Sequence, residues 1–319
     1  MESKTFQDFH DHGASAPEWN QRYHQLSSGL MHSSLLEVSF SHVHLFRKSL
    51  SQRVVQQGCL PRGKVCFAVP TSVAGPARMQ GRDVSTNSLF ILRSGDEFTI
   101  HRPKGMELLA LTFDSDRFEH FLDASGAESL ARWALPHPVI DLPAESLEQL
   151  RTTMRAVLSG VLVSGSGALD AVGGAEASLE IMLFATLTAL LREPLVGRAQ
   201  PSRRSSASYV VEESHRMAMA ADGSALTVED ICRRLRASRR TVQSSFNVVA
   251  ETTPVRYMRS LRLNAVRRQL LTTSAEDVGV GQVAAGWGFA HLGHFASEYR
   301  ALFGELPSET QRAVAVAAH

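Results

Sequence analysis

One helical pattern occurs twice in the C-terminal third of this 319-residue chain, and it constrains the fold more than any other feature. The first copy is LTVEDICRRLRASRRTVQSSFNVV, residues 226–249, and the second is VGQVAAGWGFAHLGHFASEYRALF, residues 280–303. In each copy an apolar run at helical spacing is followed by a tight break and a second such run. The pattern predicts two helix-turn-helix units, in each of which the second helix enters the major groove of DNA.

The inward positions of the two copies correspond to one another. In order along the chain, the inward positions are Ile231, Cys232, Val242 and Phe246 in the first copy and Val283, Ala284, Phe295 and Tyr299 in the second. Ser238 is well placed to cap the second helix of the first unit. Gly288 provides the sharp turn of the second unit, because a residue without Cβ adopts it at little cost.

The first predicted recognition helix has a polar, basic outward face. Its residues are Arg239, Arg240, Gln243, Ser244 and Asn247. Arginine commonly reads guanine and glutamine adenine, so these side chains are predicted to contact DNA. The alternative is a solvated polar face of the kind that any surface helix has.

A helix over residues 253–271 is predicted between the two units. Pro254 suits its first turn. Its apolar face consists of Tyr257, Leu261, Leu263, Val266 and Leu270. About 18 residues span roughly 27 Å, which approaches the ~34 Å between half-sites one DNA turn apart. Such a spacer would place the recognition helices in successive major grooves.

The N-terminal part has a different pattern. From about 35 to 115, short apolar runs are separated by glycine and proline turns, which predicts an antiparallel barrel or sandwich. We interpret it as a small β-barrel. Residues 143–193 then show helical spacing, and the second helix of this segment is apolar almost all round. We interpret the two helices as a dimerisation element; simple packing against the barrel is the alternative. The Pro/Ser/Arg-rich residues 197–208 are predicted to be a linker.

Charge and composition exclude several classes of protein. Residues 1–202 carry 18 Lys+Arg against 21 Asp+Glu, whereas residues 203–319 carry 15 Arg against 11 Asp+Glu. The basic C-terminal third favours a polyanionic partner. No apolar run reaches the roughly 18 residues of a membrane span, and the N-terminus does not read as a signal peptide. The three cysteines do not form a disulfide framework or a zinc finger. A cytoplasmic chain is therefore expected.

The motifs PVRYMRSLRLNAVRRQLL, VAAGWGF, HFASEYRALFG and LPSE together resemble the AraC/XylS family of bacterial transcription regulators over about 100 residues. The resemblance implies a helical DNA-binding domain with two helix-turn-helix units and a cupin-like N-terminal domain for a small effector or for dimerisation. The expected fold is α+β. Its expected parts are a cupin-like sensor domain at 1–142, a dimerisation element at 143–196, the linker, and a DNA-binding domain at 209–319.

Carried over by position, the family's base-facing sites fall on Arg240, Gln243 and Ser244 in the first unit. In the second unit they fall on Leu292, Gly293, Ala296 and Ser297, and we expect His291, His294 and Arg300 to contact phosphates or remain solvated. Leucine and alanine offer methyl contacts but no paired hydrogen bonds. The first helix is therefore expected to carry more of the base readout. Glu251 replaces the family's usual glycine, which predicts a changed helix end there.

The resemblance implies an activator of a catabolic operon that binds double-stranded DNA as a homodimer and acts with RNA polymerase. A small effector is expected inside the barrel, against residues that we take to alternate along its strands: Phe67, Val69, Phe90, Leu92 and Leu109. No cofactor, metal or membrane is expected. A metal-dependent cupin enzyme is the alternative, but the His42/His44 pair has no glutamate at ligand spacing and His101 is isolated.

Overall fold

The computed structural model describes residues 1–164, 172–190, 200–220 and 226–310. It has a β-rich N-terminal part and a helical C-terminal part, so the expected α+β class is confirmed. The strands, in chain order, are β1 (Glu2–Phe6), β2 (Arg22–Gln25), β3 (Ser33–Ser39), β4 (Val43–Leu50), β5 (Val54–Cys59), β6 (Lys64–Ser72), β7 (Ala77–Met79), β8 (Arg82–Val84), β9 (Ser88–Leu92), β10 (Glu97–Arg102), β11 (Glu107–Asp114), β12 (Val139–Asp141) and β13 (Gln200–Pro201). The helices of the N-terminal part are α1 (Phe9–Ala14), α2 (Ser115–Ser125), α3 (Glu128–Ala134), α4 (Ala144–Ser164) and α5 (Val172–Leu190).

The strands form two separate sheets. One has the order β1-β3-β4-β11-β6-β9-β12-β13 and the other β2-β5-β10-β7-β8. Every pairing between these strands is antiparallel. The sheets share one apolar cluster between their inner faces, but they are not joined into a single closed ladder. The N-terminal part is thus β-rich as expected, with two open sheets in place of one continuous barrel wall.

Successive side chains of a strand point to opposite faces of a sheet. In the eight-stranded sheet both faces are buried, each in its own apolar cluster. Phe67, Val69 and Leu109 lie on the outer face, in one apolar cluster with α4 and α5. Phe90 and Leu92 lie on the inner face, which packs on the five-stranded sheet. Placing all five inside a barrel was therefore wrong for the first three. Strands that are apolar on both faces do not reveal which face is interior.

The predicted helices of residues 143–193 are present as α4 and α5. The inward positions of α4 are buried against the sheet: Leu147, Leu150, Met154, Val157 and Leu158. The side chain of Val161 and most of the loop predicted at 165–174 lie outside the described residues. Both helices pack on the outer face of the eight-stranded sheet, which is the alternative to dimerisation that the sequence left open.

The described part of the predicted linker is ordered against the N-terminal part. Gln200–Pro201 forms β13, which extends the eight-stranded sheet beside β12. A helix begins at Ser206, where the Ser205 hydroxyl accepts a hydrogen bond from Ser208 N at 3.0 Å. The serine-rich composition that suggested a linker thus includes a helix cap, Ser205, and residues 206–208 are helical.

Six helices make up the described C-terminal part. They are α6 (Ser206–Ala220), α7 (Val228–Leu235), α8 (Arg239–Ala250), α9 (Pro254–Thr272), α10 (Val280–Gly286) and α11 (Leu292–Phe303). One apolar cluster joins α6, α7, α8 and the first half of α9. A second joins the rest of α9 with α10 and α11. The spacer helix α9 is thus shared by both clusters, and within the described chain no helix is long and apolar enough to cross a membrane.

The outer face of the five-stranded sheet packs on the helical part through buried histidines. His215 of α6 donates from Nε2 to Gln57 Oε1 at 3.2 Å and accepts the Tyr257 hydroxyl at Nδ1, 2.9 Å away. The His24 ring lies 5.3 Å from the His215 ring, and the His101 ring stacks on Tyr257 at 6.3 Å. Burial lowers the pKa of His101 to about 3 and that of His215 to about 4, and holds the pKa of His24 well below its ordinary value.

Strand β2, at the edge of the five-stranded sheet, is bonded directly to the helical part. Gln25 N donates to Asn264 Oδ1 at 2.8 Å, and Asn264 Nδ2 donates to Gln25 O at 2.9 Å. Gln25 Nε2 also donates to Leu302 O at 2.6 Å, in the last turn of α11. A helix leaves such carbonyls without partners of its own. One glutamine therefore ties the sheet to both the spacer helix and the last helix.

Replacing Asn264 with leucine should destabilise the whole chain, because leucine leaves the buried N–H and C=O of Gln25 unpaired. The expected loss of unfolding free energy is about 2 kcal/mol or more, measured by urea denaturation of the full chain. The exposed Asn247→Leu is the matched control and should change little. Equal stability of Asn264→Leu and wild type would contradict the importance of this contact.

The buried histidines predict acid sensitivity. The folded chain keeps them neutral, whereas the unfolded chain protonates them near the ordinary value of 6.5. Stability should therefore decrease as the pH falls from about 6.5 toward 3. His101→Phe keeps a ring on Tyr257 without a titrating nitrogen, so its melting temperature should decrease less over this range. The exposed His120→Phe should follow the wild type; identical pH profiles for all three proteins would refute the prediction.

Candidate nucleic-acid interface

The first helix-turn-helix unit consists of α7 and α8, and hydrogen-bonded caps fix its turn. Thr227 Oγ1 accepts from Asp230 N, and Asp230 Oδ2 accepts from Thr227 N, both at 3.1 Å. Helix α7 ends at Arg236 in the left-handed conformation, with φ 50°. Ser238 then caps α8 by accepting a hydrogen bond from Thr241 N at 3.0 Å. The cap predicted at Ser238 is therefore present.

Helix α8 separates an apolar face from an exposed polar face, as the spacing predicts. Its buried side chains include Val242, Phe246 and Val249. Its exposed side chains include all the residues predicted to contact DNA in this unit: Arg239, Arg240, Gln243, Ser244 and Asn247. These side chains are thus gathered on one accessible face; whether they contact bases remains a prediction.

Glu251 ends α8 without changing the helix end. It adopts the left-handed conformation at φ 48° and ψ 40°, at the position where the family resemblance implied the usual glycine. The changed helix end expected from this substitution was therefore wrong. The conformation costs a side-chain-bearing residue roughly 1 kcal/mol, and the Glu251 carboxylate forms an ion pair with Arg53, just before β5. The N-terminal part thus contributes an ion pair to this helix end.

The second unit, α10 and α11, uses a different set of local contacts. Gln282 Oε1 accepts from Gly279 N at 2.9 Å at the start of α10. Gly288 provides the predicted sharp turn, at φ +77°. Beside it, Trp287 Nε1 donates to Gln269 Oε1 of the spacer helix at 2.8 Å. The turn is therefore held against α9 by its indole ring.

Helix α11 buries the predicted aromatics Phe295 and Tyr299. Most of the residues predicted to face DNA in this unit are exposed: His291, Leu292, Gly293, Ser297 and Arg300. Ala296 is only half-buried, and His294 is exposed. Leu292 is 51% exposed. The positions of α11 carried over as base-facing thus hold small or apolar side chains, whereas those of α8 include Arg240 and Gln243.

The spacer helix holds both units in place. At 19 residues α9 is about 28 Å long. Arg267 on this helix is a hub between the parts: it binds Asp8 of the N-terminal part at 2.6 Å and Glu305 after α11 at 2.7 Å. Its guanidinium also donates to the Tyr299 hydroxyl at 3.2 Å. A half-buried arginine with two carboxylates fixes the second unit relative to α9.

Several cations near the recognition helices are free to bind an anion. Within the described residues, no carboxylate lies at ion-pair distance from Arg234, Arg236, Arg240 or Arg300, and all four are exposed. Exposed, unpaired arginines suit phosphate contacts because phosphate binding releases counterions from DNA. The excess of arginine in the C-terminal third is therefore partly concentrated beside the two recognition helices.

The cavity between the two sheets is the predicted effector region. Phe90 and Leu92 line it, together with Trp19, Phe46 and Phe98. Its volume is about 50 Å³. Phe67, Val69 and Leu109 do not reach it, since they pack against the outer helices.

The histidines considered as metal ligands of a cupin enzyme contact other side chains. His42 contacts Asp114 at 2.9 Å and His44 contacts Glu37 at 3.0 Å. His101 lies on the outer face of the five-stranded sheet, against Tyr257. Among residues 1–164, 172–190, 200–220 and 226–310, no three His, Cys, Asp or Glu side chains are grouped as a metal site.

Two buried cations near the cavity were missed by the sequence interpretation. Lys48 shares its strand face with Phe46, and Arg102 shares its face with Phe98 and Ile100. A basic residue at the inward position of an alternating strand is a readable signal. It was hidden because Lys48 lies between the polar residues Arg47 and Ser49, and Arg102 follows His101, so neither stands out from its strand neighbours as inward-facing.

A family model described as a helix-turn-helix domain matches residues 231–313. The "Probable thc operon regulatory protein" of Rhodococcus erythropolis is 39% identical over 89 residues, which are 28% of this chain and 27% of that protein. The "XylDLEGF operon transcriptional activator" of Pseudomonas putida is 38% identical over 87 residues, 27% of each chain. The matched segment thus spans about a quarter of the length of these curated relatives.

Among solved structures, the AraC-like transcriptional activator CuxR is similar at a TM-score of 0.43 and 14% identity, covering 82% of this chain and 94% of that one. The assignment rests on the C-terminal sequence and its geometry: two capped helix-turn-helix units on one spacer helix, in the segment that the family model matches. Residues 231–313 thus form a helix-turn-helix domain of the AraC/XylS type.

Proposed function

We propose that the chain is a sequence-specific, DNA-binding transcription regulator that activates a catabolic operon in response to a small organic effector. The observation that carries the proposal is the pair of exposed recognition faces, on α8 and α11, at equivalent positions of an AraC/XylS-type domain. The printed names of two relatives, an operon regulatory protein and an operon transcriptional activator, support regulation of an operon.

In this proposal the two faces read DNA unequally. Arg240 and Gln243 can each form paired hydrogen bonds with a base edge, worth about 1–3 kcal/mol of discrimination apiece. Leu292, Gly293 and Ala296 offer shape and methyl contact only. Helix α8 is therefore the principal reader of sequence, and α11 contributes contacts to thymine methyl groups and phosphates.

The N-terminal part acts as a cupin-like sensor. Two antiparallel sheets packed face to face around an internal cavity support this role. Strand β2 provides a route between cavity and DNA-binding domain: its Tyr23 hydroxyl accepts a hydrogen bond from Lys48 at the cavity, and its Gln25 binds Asn264 and Leu302. An effector that displaces Tyr23 would move the strand that holds α9 and α11.

The homodimer forms through α5 in this proposal. An exposed apolar stripe runs along this helix at four-residue spacing, on the side away from the sheet: Ala177, Ile181, Ala185 and Ala189. Ile181 is 54% exposed, and Met182 beside it is 39% exposed. Small residues around one large one allow two helices to approach closely. Bound as a dimer at a promoter, the protein would act with RNA polymerase.

The unequal readout predicts different losses for two arginine substitutions. Arg240→Ala should relax base preference at one or two positions, because a bidentate base contact is lost. Arg300→Ala should weaken binding to all sequences alike and reduce the salt slope by about 1, because a phosphate contact is lost. The measurement is affinity for a bound site and its single-base variants at two salt concentrations. Unchanged base preferences in Arg240→Ala, with preferences lost in Ser297→Ala, would reverse the assignment.

The dimer proposal predicts a charge-sensitive face on α5. Ile181→Glu should raise the dimer dissociation constant at least tenfold, or about 1.4 kcal/mol, because it buries a carboxylate in an apolar contact. Val255→Glu on the helical domain is a matched control, since Val255 is 60% exposed. Sedimentation equilibrium distinguishes the variants. A monomeric wild type, or equal dissociation constants for both variants, would exclude this interface.

A further inference from the structure

Lys48 and Arg102 are buried cations between the two sheets, and their partners among the described residues are electrically neutral. Lys48 is 5% exposed and Arg102 is fully buried. Lys48 Nζ donates to Gln21 Oε1 and to the Tyr23 hydroxyl, both at 3.0 Å. Arg102 donates to Gln56 Oε1 at 3.1 Å, while its Nε is buried without a hydrogen-bond partner in the described chain. A buried positive charge without an opposite charge is costly.

Hydrogen-bond acceptors are also scarce around the Lys48 amine. Gln21 Oε1 accepts from Lys48, and it accepts from Gln56 Nε2 at 3.0 Å and from the Tyr23 hydroxyl as well. One amide oxygen thus serves three donors. A group that carries negative charge and acceptor oxygens would therefore stabilise this interior.

The electrostatic surroundings of Lys48 favour its neutral form. The titratable and charged groups that face it are His12, Tyr23, Glu37, Cys66 and Arg102. Burial keeps the first neutral by lowering its pKa to about 2, and it raises the pKa of the tyrosine and of the thiol, so that both stay protonated. The Glu37 carboxylate is already bound to Lys4 and His44.

A reactive amine is consequently present near neutral pH. Burial, followed by the charge of Arg102, lowers the pKa of Lys48 to about 7. Arg102 itself remains charged there, because burial lowers its pKa only to about 10. A lysine that has lost its proton in a desolvated pocket is a nucleophile.

The cavity between the sheets limits what this amine can react with. Lys48 lines it beside Gln21 and Gln56, and most of the remaining lining is apolar. Its volume is about 50 Å³. One water takes up roughly 30 Å³ in the liquid, and a cavity that holds benzene measures about 150 Å³. The space therefore suits an addition of very few heavy atoms to Nζ and excludes a larger organic molecule.

We propose that Lys48 is a carbamylation site, at which its amine adds carbon dioxide and the product occupies this cavity. The Nζ lone pair forms a bond to the carbon, one C=O π pair becomes a lone pair on oxygen, and Nζ releases a proton to water. The reaction needs no oxidant or reductant. The inference goes beyond the proposed function and does not depend on it.

The charge of Arg102 distinguishes carbon dioxide from other small electrophiles. The field that disfavours an ammonium at Nζ favours an anion there, and a carbamate is an anion with two acceptor oxygens. An imine formed with an aldehyde would carry no negative charge and would leave Arg102 uncompensated. The carbamate thus meets both the charge and the acceptor shortage of the site.

The test uses the full chain, equilibrated near neutral pH with carbon-13-labelled bicarbonate and carbon dioxide, and carbon-13 NMR of the carbamate carbonyl. The wild type should show a saturable carbamate signal in addition to that of its N-terminal amine. Lys48→Met should reduce this additional signal at least tenfold, since it removes the nucleophile and fills its space without a buried charge. Lys64→Met is the matched control, because it removes a partly exposed lysine paired with Asp114, and it should retain the signal.

The pH dependence provides a second measurement that does not require a variant to fold. At a fixed concentration of dissolved carbon dioxide, the signal should increase as the pH rises through about 7, because only the neutral amine reacts. An ordinary lysine, with a pKa of about 10.4, would give its increase at much higher pH. A wild-type signal from the N-terminal amine alone, an equal signal in Lys48→Met, or the titration of an ordinary lysine would each overturn the proposal.

Discussion

The structure depends on the hydrogen bonds that Gln25 of β2 makes with Asn264 and Leu302. They join a sheet edge to the spacer helix and to the free carbonyl end of α11. An edge strand otherwise exposes unpaired backbone groups, and a helix end leaves carbonyls unpaired. The sheet edge and the helical part thus provide hydrogen-bond partners for each other. Because α9 is shared by both helix-turn-helix units, this contact fixes the position of both recognition helices relative to the sheets.

Around this contact the molecule is built in layers. Helices α4 and α5 cover one sheet, the two sheets enclose the cavity, and the helical domain covers the second sheet. Every layer buries one face of the next, which explains why so many strands are apolar on both faces. It also explains the buried histidines, since the outer face of the five-stranded sheet lies against a protein surface and not against water. The ion pair of Arg53 with Glu251 belongs to the same boundary.

Sequence periodicity was sufficient to predict the helical domain, but it was insufficient to predict which strand side chains lie between the two sheets. Ser238, Pro254 and Gly288 act locally, so their roles could be predicted from neighbouring residues. The contact between Gln25 and Asn264 joins positions 239 residues apart and has no local signature. The orientation of Phe67 was misjudged for another reason: an alternating strand that is buried on both sides has no polar face to set its direction.

If the chain reads DNA as proposed, one protomer places its two recognition helices in successive major grooves. Methylation interference at guanine N7 tests it most directly, on a site bound by a single protomer. The account predicts two clusters of interfering guanines on one face of the duplex, about 10 base pairs apart from centre to centre. The cluster beneath α8 should contain the strongest positions. A single cluster, or two clusters on opposite faces of the DNA, would contradict the account.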